Sequence, residues 1–163
     1  MENARQDILD LLMELVGIPS VSCTPAEAEA GRFIHSRLGE LPYFRDHPGN
    51  LQLLPVPGDP FGREVVMAFV EAVPTVKGTV VLTGHYDVVG AKDFGSLEDL
   101  AFSPLEYTSA LKERGLDGEA GEDLKSGDYL FGLGVMDMKC GLAGEIDRKS
   151  TRLNSSNRIR PRM

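Results

Sequence analysis

Apolar residues at Ile8, Leu11, Leu12, Leu15 and Val16 recur at spacings of three and four. That period predicts an amphipathic helix, and Gly17 and Pro19 stop it. Residues Ser20 to Thr24 form a loop. Thr24-Pro25-Ala26-Glu27 is a capping box with Pro at the first helical position, so a second helix opens there. It presents Ala30, Phe33, Ile34 and Leu38 on one face and ends near Gly39, with His35 beside that face as a packing or surface histidine. From Leu41 to Gly62 the chain is rich in Pro and Gly, with Leu51 to Leu54 as a short strand and His47 as a turn residue. Glu64 to Val70 follows as a strand whose weak alternation predicts burial on both faces. Pro74 to Gly78 is expected to turn the chain.

The run Thr79 to Val89, T-V-V-L-T-G-H-Y-D-V-V, then predicts a central buried strand that closes at Gly84. In extended backbone, residues i and i+2 point to the same side, so His85 and Asp87 share one pocket at the strand's carboxyl end. Open α/β sheets bind their ligands at that end. An imidazole with a carboxylate beside it suits a metal, because an acceptor on one ring nitrogen fixes the tautomer that leaves the other nitrogen free.

No strand is expected immediately after Val89. Ser103-Pro104-Leu105-Glu106 is a second capping box, opening a helix that runs to about Arg114 and stops at Gly115. The acidic, Gly-rich run Asp117 to Asp128 reads as a solvated loop. Tyr129 to Phe131 reads as a short strand, and Gly132 and Gly134 allow a tight turn before Asp137 and Lys139. This glycine turn matches neither G-x-G-x-x-G nor a Walker loop, so a nucleotide-binding function has little support. An Asp placed as Asp137 is, in isolation, a helix cap. Helices followed by strands in this order suggest a layered α/β domain.

The 163 residues suffice for one domain. The formal net charge of -8 disfavours nucleic acid and anionic membranes as partners. No apolar run approaches the roughly 18 residues that span a bilayer, and residues 1–10 carry three acids rather than a signal-peptide core. Cys23 and Cys140 are too far apart in sequence for a C-x-x-C metal site, and two free thiols in a reducing, cytoplasmic setting are the expectation.

Taken together, G-H-Y-D-V-V and, about fifty residues later, G-L-G-V-M-D-M-K-C-G resemble the co-catalytic zinc peptidases of the acetylornithine deacetylase, succinyl-diaminopimelate desuccinylase and carboxypeptidase G type. The insert A-K-D-F-G-S-L-E-D-L-A-F-S-P-L-E looks like that of the arginine-utilisation, RocB-like branch. The resemblance covers roughly residues 5 to 146. It implies the N-terminal portion of a three-layer α/β catalytic domain, without the lid or dimerisation domain. It also implies cleavage of an amide or peptide bond in small amino-acid derivatives or peptides. By motif position, His85 is a metal ligand, Asp87 the catalytic-site carboxylate that supports it, and Asp137 the carboxylate bridging two zinc ions. Manganese or cobalt would also suit such donors. Two metals about 3.5–4 Å apart activate a shared water and polarise an amide carbonyl. The family commonly has Arg between the two glycines of the second motif, where this chain has Leu133.

The resemblance also exposes a gap. The family's Glu-Glu pair, a later acid and a late His cannot be placed here; Glu145 lies too close to Asp137, and no His follows His85. The expectation is therefore a hydrolase only in full-length form, this chain being inactive alone. Homodimers are expected only of the full-length parent. The rival expectation is a non-catalytic binding module that kept the fold without the full metal site. Residues 147–163 hold six of the 17 basic residues and one of the 25 acids. D-R-K-S-T-R-L-N-S-S is what a sequencing-library adapter would encode, so a non-native or disordered tail is expected there and residues 1–146 are taken as the domain. A sheet left with an unpaired edge predicts poor solubility.

Overall fold

The computed structural model describes residues 2–71 and 78–147, with side chains from residue 5. The expected turn at 74–78 and the basic tail therefore lie outside the described residues, apart from Gly78 and Asp147. The first two helices form where the periodicity places them, as α1 (Glu2–Val16) and α2 (Pro25–Gly39). The expected capping box of α2 does not form, because the N–H of the N-cap Thr24 donates to the Val21 carbonyl. Glu27 Oε2 accepts the Cys23 N–H at 2.8 Å, whereas Thr24 Oγ1 donates to the Val21 carbonyl instead of capping the helix. A short α3 (Pro42–Asp46) ends at His47, whose ring lies 4.6 Å from that of Tyr43, so this histidine serves the turn.

Strands β1 (Leu51–Pro55) and β2 (Glu64–Ala68) make an antiparallel hairpin with Leu51 opposite Ala68 and Leu53 opposite Val66. Leu51, Val66 and Ala68 pack toward the core, while Val65 and Met67 face outward. The expected burial of the second strand on both faces is thus corrected: it alternates, because only α2 and its neighbours cover one side. Leu11, Leu12, Leu15 and Val16 of α1 meet Ile34 and Leu38 of α2, Phe44 of α3, and Leu142, Ala143 and Ile146 of a helix over 140–147, here α6. Leu15 and Val16 are fully buried, each worth about 1.5–3 kcal/mol relative to exposure.

Residues 78–87 do not form the expected buried strand. No ladder includes them, and Val80 and Val81 are 86% and 78% exposed. A strand is defined by the backbones beside it, and among the described residues only the loop 20–22 lies alongside, through one parallel bridge between Val21 and Val88. Residues 91–100 form tight 3₁₀ turns broken at Gly95 and Leu97, consistent with a non-strand insert.

Helix α4 (Pro104–Arg114) ends at Gly115 as expected. The acidic run is not a loop: Gly118–Ser126 is helix α5, with Leu124 buried. Asp117 occupies its N-cap position, Glu119 and Lys125 suit the helix dipole, and Gly127 closes it in the left-handed conformation at φ 76°. Residues 129–131 are not a strand either. The Phe131 N–H donates to Thr108 Oγ1 on α4 at 3.0 Å, so a side chain replaces the ladder.

Candidate functional site

The chain brings both motifs together. Gly134, at φ 77°, turns the backbone into a wide helical turn over Val135–Lys139, and the Asp137–Met138 peptide is cis. A Cβ on Gly134 would stand 2.5 Å from Val88 Cγ1, so glycine lets the second motif pack directly against the first. Gly84 does the same from the other side, where a Cβ would meet Leu142 and Met138 at 2.8 Å.

His85 Nε2 lies 3.0 Å from Asp137 Oδ1, and His85 Nδ1 lies 3.2 Å from both the Asp87 carbonyl and Asp87 Oδ1. The three residues singled out by sequence therefore share one site. Carbonyl and carboxylate oxygens only accept, so each ring nitrogen bonds its partner as a donor, and both contacts are made at once by the protonated imidazole. The imidazole pKa is raised: partial burial opposes the charged ring, but the Asp87 carbonyl, the Asp137 carboxylate and the charge on Asp87 outweigh it. Asp137 is largely exposed, so its side chain is open to solvent.

Two donors on one tetrahedral zinc, with bonds of about 2.0–2.2 Å, stand about 3.3–3.6 Å apart. The imidazole nitrogen and carboxylate oxygen, 3.0 Å apart, are at hydrogen-bond distance and inside that spacing, and Asp87 is placed to hold the ring. His85 and Asp137 are side chains of the types that ligate such an ion, and here they stand in direct hydrogen-bond contact. Among the described residues no group of three or more metal-ligating side chains is assembled. The site opens into a cavity of about 320 Å³ lined by Ser22, His85, Asp87, Val89, Leu133 and Asp137. Leu133, where the resembling family has Arg, gives that cavity an apolar wall.

Three supporting residues escaped the sequence reading. Ser22 Oγ donates to Asp87 Oδ2 at 2.6 Å. Tyr86 donates its hydroxyl to the Glu64 carbonyl, and its ring rests on Gly31 of α2, where a Cβ would come within 3.0 Å of the hydroxyl oxygen. Lys139 is completely buried, and its Nζ donates to the Leu15 and Ile18 carbonyls at 2.9 and 2.7 Å. Burial pushes its pKa down to about 8. A lone Lys in the otherwise apolar run Met138 to Ala143 was the available signal for the last of these.

The chain is similar to two proteins of Bacillus subtilis strain 168. It is 32% identical to Protein RocB over 141 residues, 86% of this chain and 25% of that protein. It is 34% identical to the uncharacterized protein YqjN over 152 residues, 92% of this chain and 27% of that protein. The chain thus spans about a quarter of the length of the curated relatives it matches. No family profile and no solved structure matches it. Among the described residues, no helix is long and apolar enough to cross a membrane.

Proposed function

We propose that this chain supplies the N-terminal part of a metal-dependent amidohydrolase or peptidase, acting in full-length form on small amino-acid derivatives or peptides. The observation that carries it is the 3.0 Å approach of His85 Nε2 to Asp137 Oδ1 across 52 positions of sequence. The similarity to RocB and YqjN, each about four times as long as the matched region, supports a shared RocB-like ancestry and a larger working unit. On the family resemblance, the domain is three-layer α/β and the process is arginine utilisation.

His85 and Asp137 would hold the metal, for which zinc is the proposed ion and manganese or cobalt the alternatives. When bound, such an ion supplies Lewis acidity toward an amide carbonyl and lowers the pKa of a water. The chain's own residues set the stage for that chemistry. Asp87 accepts from Nδ1 and keeps Nε2 directed at Asp137, which makes it a positioning residue. Asp137 offers a second carboxylate oxygen for a further ion.

The test is release of free amine from N-acyl amino acids and dipeptides by the full-length protein, compared with His85→Ala and Asp137→Ala. Turnover that is lost with chelator, restored by zinc and absent in both variants is expected. Chelator-resistant turnover, or full turnover in either variant, contradicts the proposal.

A further inference from the structure

The β1–β2 hairpin is apolar on both faces and covered on one. Leu51, Val66 and Ala68 pack against the core. Side chains alternate along a strand, so Gln52 and Leu54 of β1 share the other face with Val65 and Met67 of β2. On that face Leu54 stands opposite Val65, and Gln52 opposite Met67. The Phe69 N–H donates to the Asn50 carbonyl at 2.8 Å, which carries the pairing one step further and brings Phe69 onto the same face. Leu54, Val65, Met67 and Phe69 are 39%, 53%, 45% and 47% exposed, and only Gln52 on this face is polar. An antiparallel hairpin with one solvated face ordinarily alternates apolar and polar residues. Single exposed hydrophobic residues need no explanation, whereas a cluster on one face marks an interface.

From this pattern we infer that the outer face of the β1–β2 hairpin is an internal docking surface, covered in the full-length protein by an apolar face of the polypeptide outside the matched region. RocB and YqjN carry the region that matches this chain as 25% and 27% of their length, so most of each polypeptide lies outside it. A tethered segment meets the hairpin at an effective concentration on the order of millimolar, well above that of a second copy in dilute solution. The formal net charge of -8 stands against an anionic lipid surface as the cover. With both faces covered, the hairpin lies between two packed layers. Tyr86 donates its hydroxyl to the carbonyl of Glu64, the first residue of β2. The docked hairpin is thereby bonded directly to the segment that carries His85 and Asp87. The inference rests on the larger working unit of the proposed function and not on its metal.

The experiment is hydroxyl-radical oxidation of the unsubstituted full-length protein, native and urea-unfolded, read at Met67 and Phe69 by mass spectrometry of its peptides. A covered side chain is attacked only when its contact opens, so oxidation about tenfold or more slower in the native protein is expected at both positions. An intramolecular cover is independent of protein concentration, so the protection is expected to survive a roughly hundredfold dilution. A native rate close to the unfolded one at either position overturns the inference. Protection that disappears on dilution also overturns it, because the cover is then a second copy. The readout needs neither bound metal nor turnover. A protected hairpin in a full-length protein that cleaves no amide therefore sustains the docking surface and contradicts the proposed function.

Discussion

The ammonium of Lys139 donates to the carbonyl of Leu15 at 2.9 Å, tying the last turn of α1 to the turn that carries Asp137. A helix leaves its last carbonyls without intrahelical partners, and a cation among them also suits the negative end of the dipole. The bond therefore caps α1 and fixes the approach to Asp137 at once.

Replacing Lys139 with Met keeps the length and apolar stem but removes the ammonium that the Leu15 and Ile18 carbonyls accept from, leaving each only its backbone partner, the Ile18 N–H and the Ser20 N–H. A loss of about 1–3 kcal/mol is expected. Urea titration of both proteins measures it. Unchanged stability would mean that water or another donor replaces the ammonium without cost.

The raised pKa of His85 gives the site a pH signature. A folded-state pKa above the unfolded value stabilises the fold below the unfolded pKa, and that contribution disappears as pH rises through the folded value. Half exposure of the ring makes the effect small through solvent screening. His85→Ala should therefore cost stability at mildly acidic pH and nearly none at alkaline pH. Zinc must displace the Nε2 proton, so zinc affinity should fall as pH drops through the same titration. Thermal melts and zinc titrations across that range check both slopes.

Gly134→Ala places a Cβ at positive φ and 2.5 Å from Val88 Cγ1. Backbone strain and overpacking together predict a loss of about 1–3 kcal/mol. Because Val88 and Gly134 join the two motifs, zinc affinity should fall with stability. A variant with wild-type melting and wild-type zinc affinity would show that the motifs pack elsewhere.

Val80 and Val81 expose most of their surface in backbone that pairs with no strand among the described residues. Such a stretch templates intermolecular pairing. Val81→Lys should raise the soluble yield and lower light scattering at high concentration without altering the melt. Scattering that is unaffected would place the association surface elsewhere.

Where local signals decide structure, the sequence was legible. The 3.6-residue period of Ile8 to Val16, the Pro-led start at Pro25 and the Gly stop after Arg114 all appear as read. Asp117 to Asp128 misled because its charge pattern concealed a capped helix with one buried anchor, Leu124. Thr79 to Val89 misled for a different reason. β-branched residues favour strands only where a neighbouring backbone completes the ladder. At the site, two spaced motifs pointed to His85, Asp87 and Asp137, which the fold does bring together. Ser22 and Lys139 were hidden because their roles depend on contacts 65 and more than 120 positions away.

The central claim is that His85 and Asp137 hold one metal ion together, and a double-mutant cycle on zinc affinity tests it most directly. Wild type, His85→Ala, Asp137→Ala and the double variant would each be titrated with zinc. If the two side chains share an ion, each single variant loses most of the affinity and the double variant loses little more, a strongly non-additive cycle. Additive losses, or wild-type affinity in either single variant, would contradict a shared metal site.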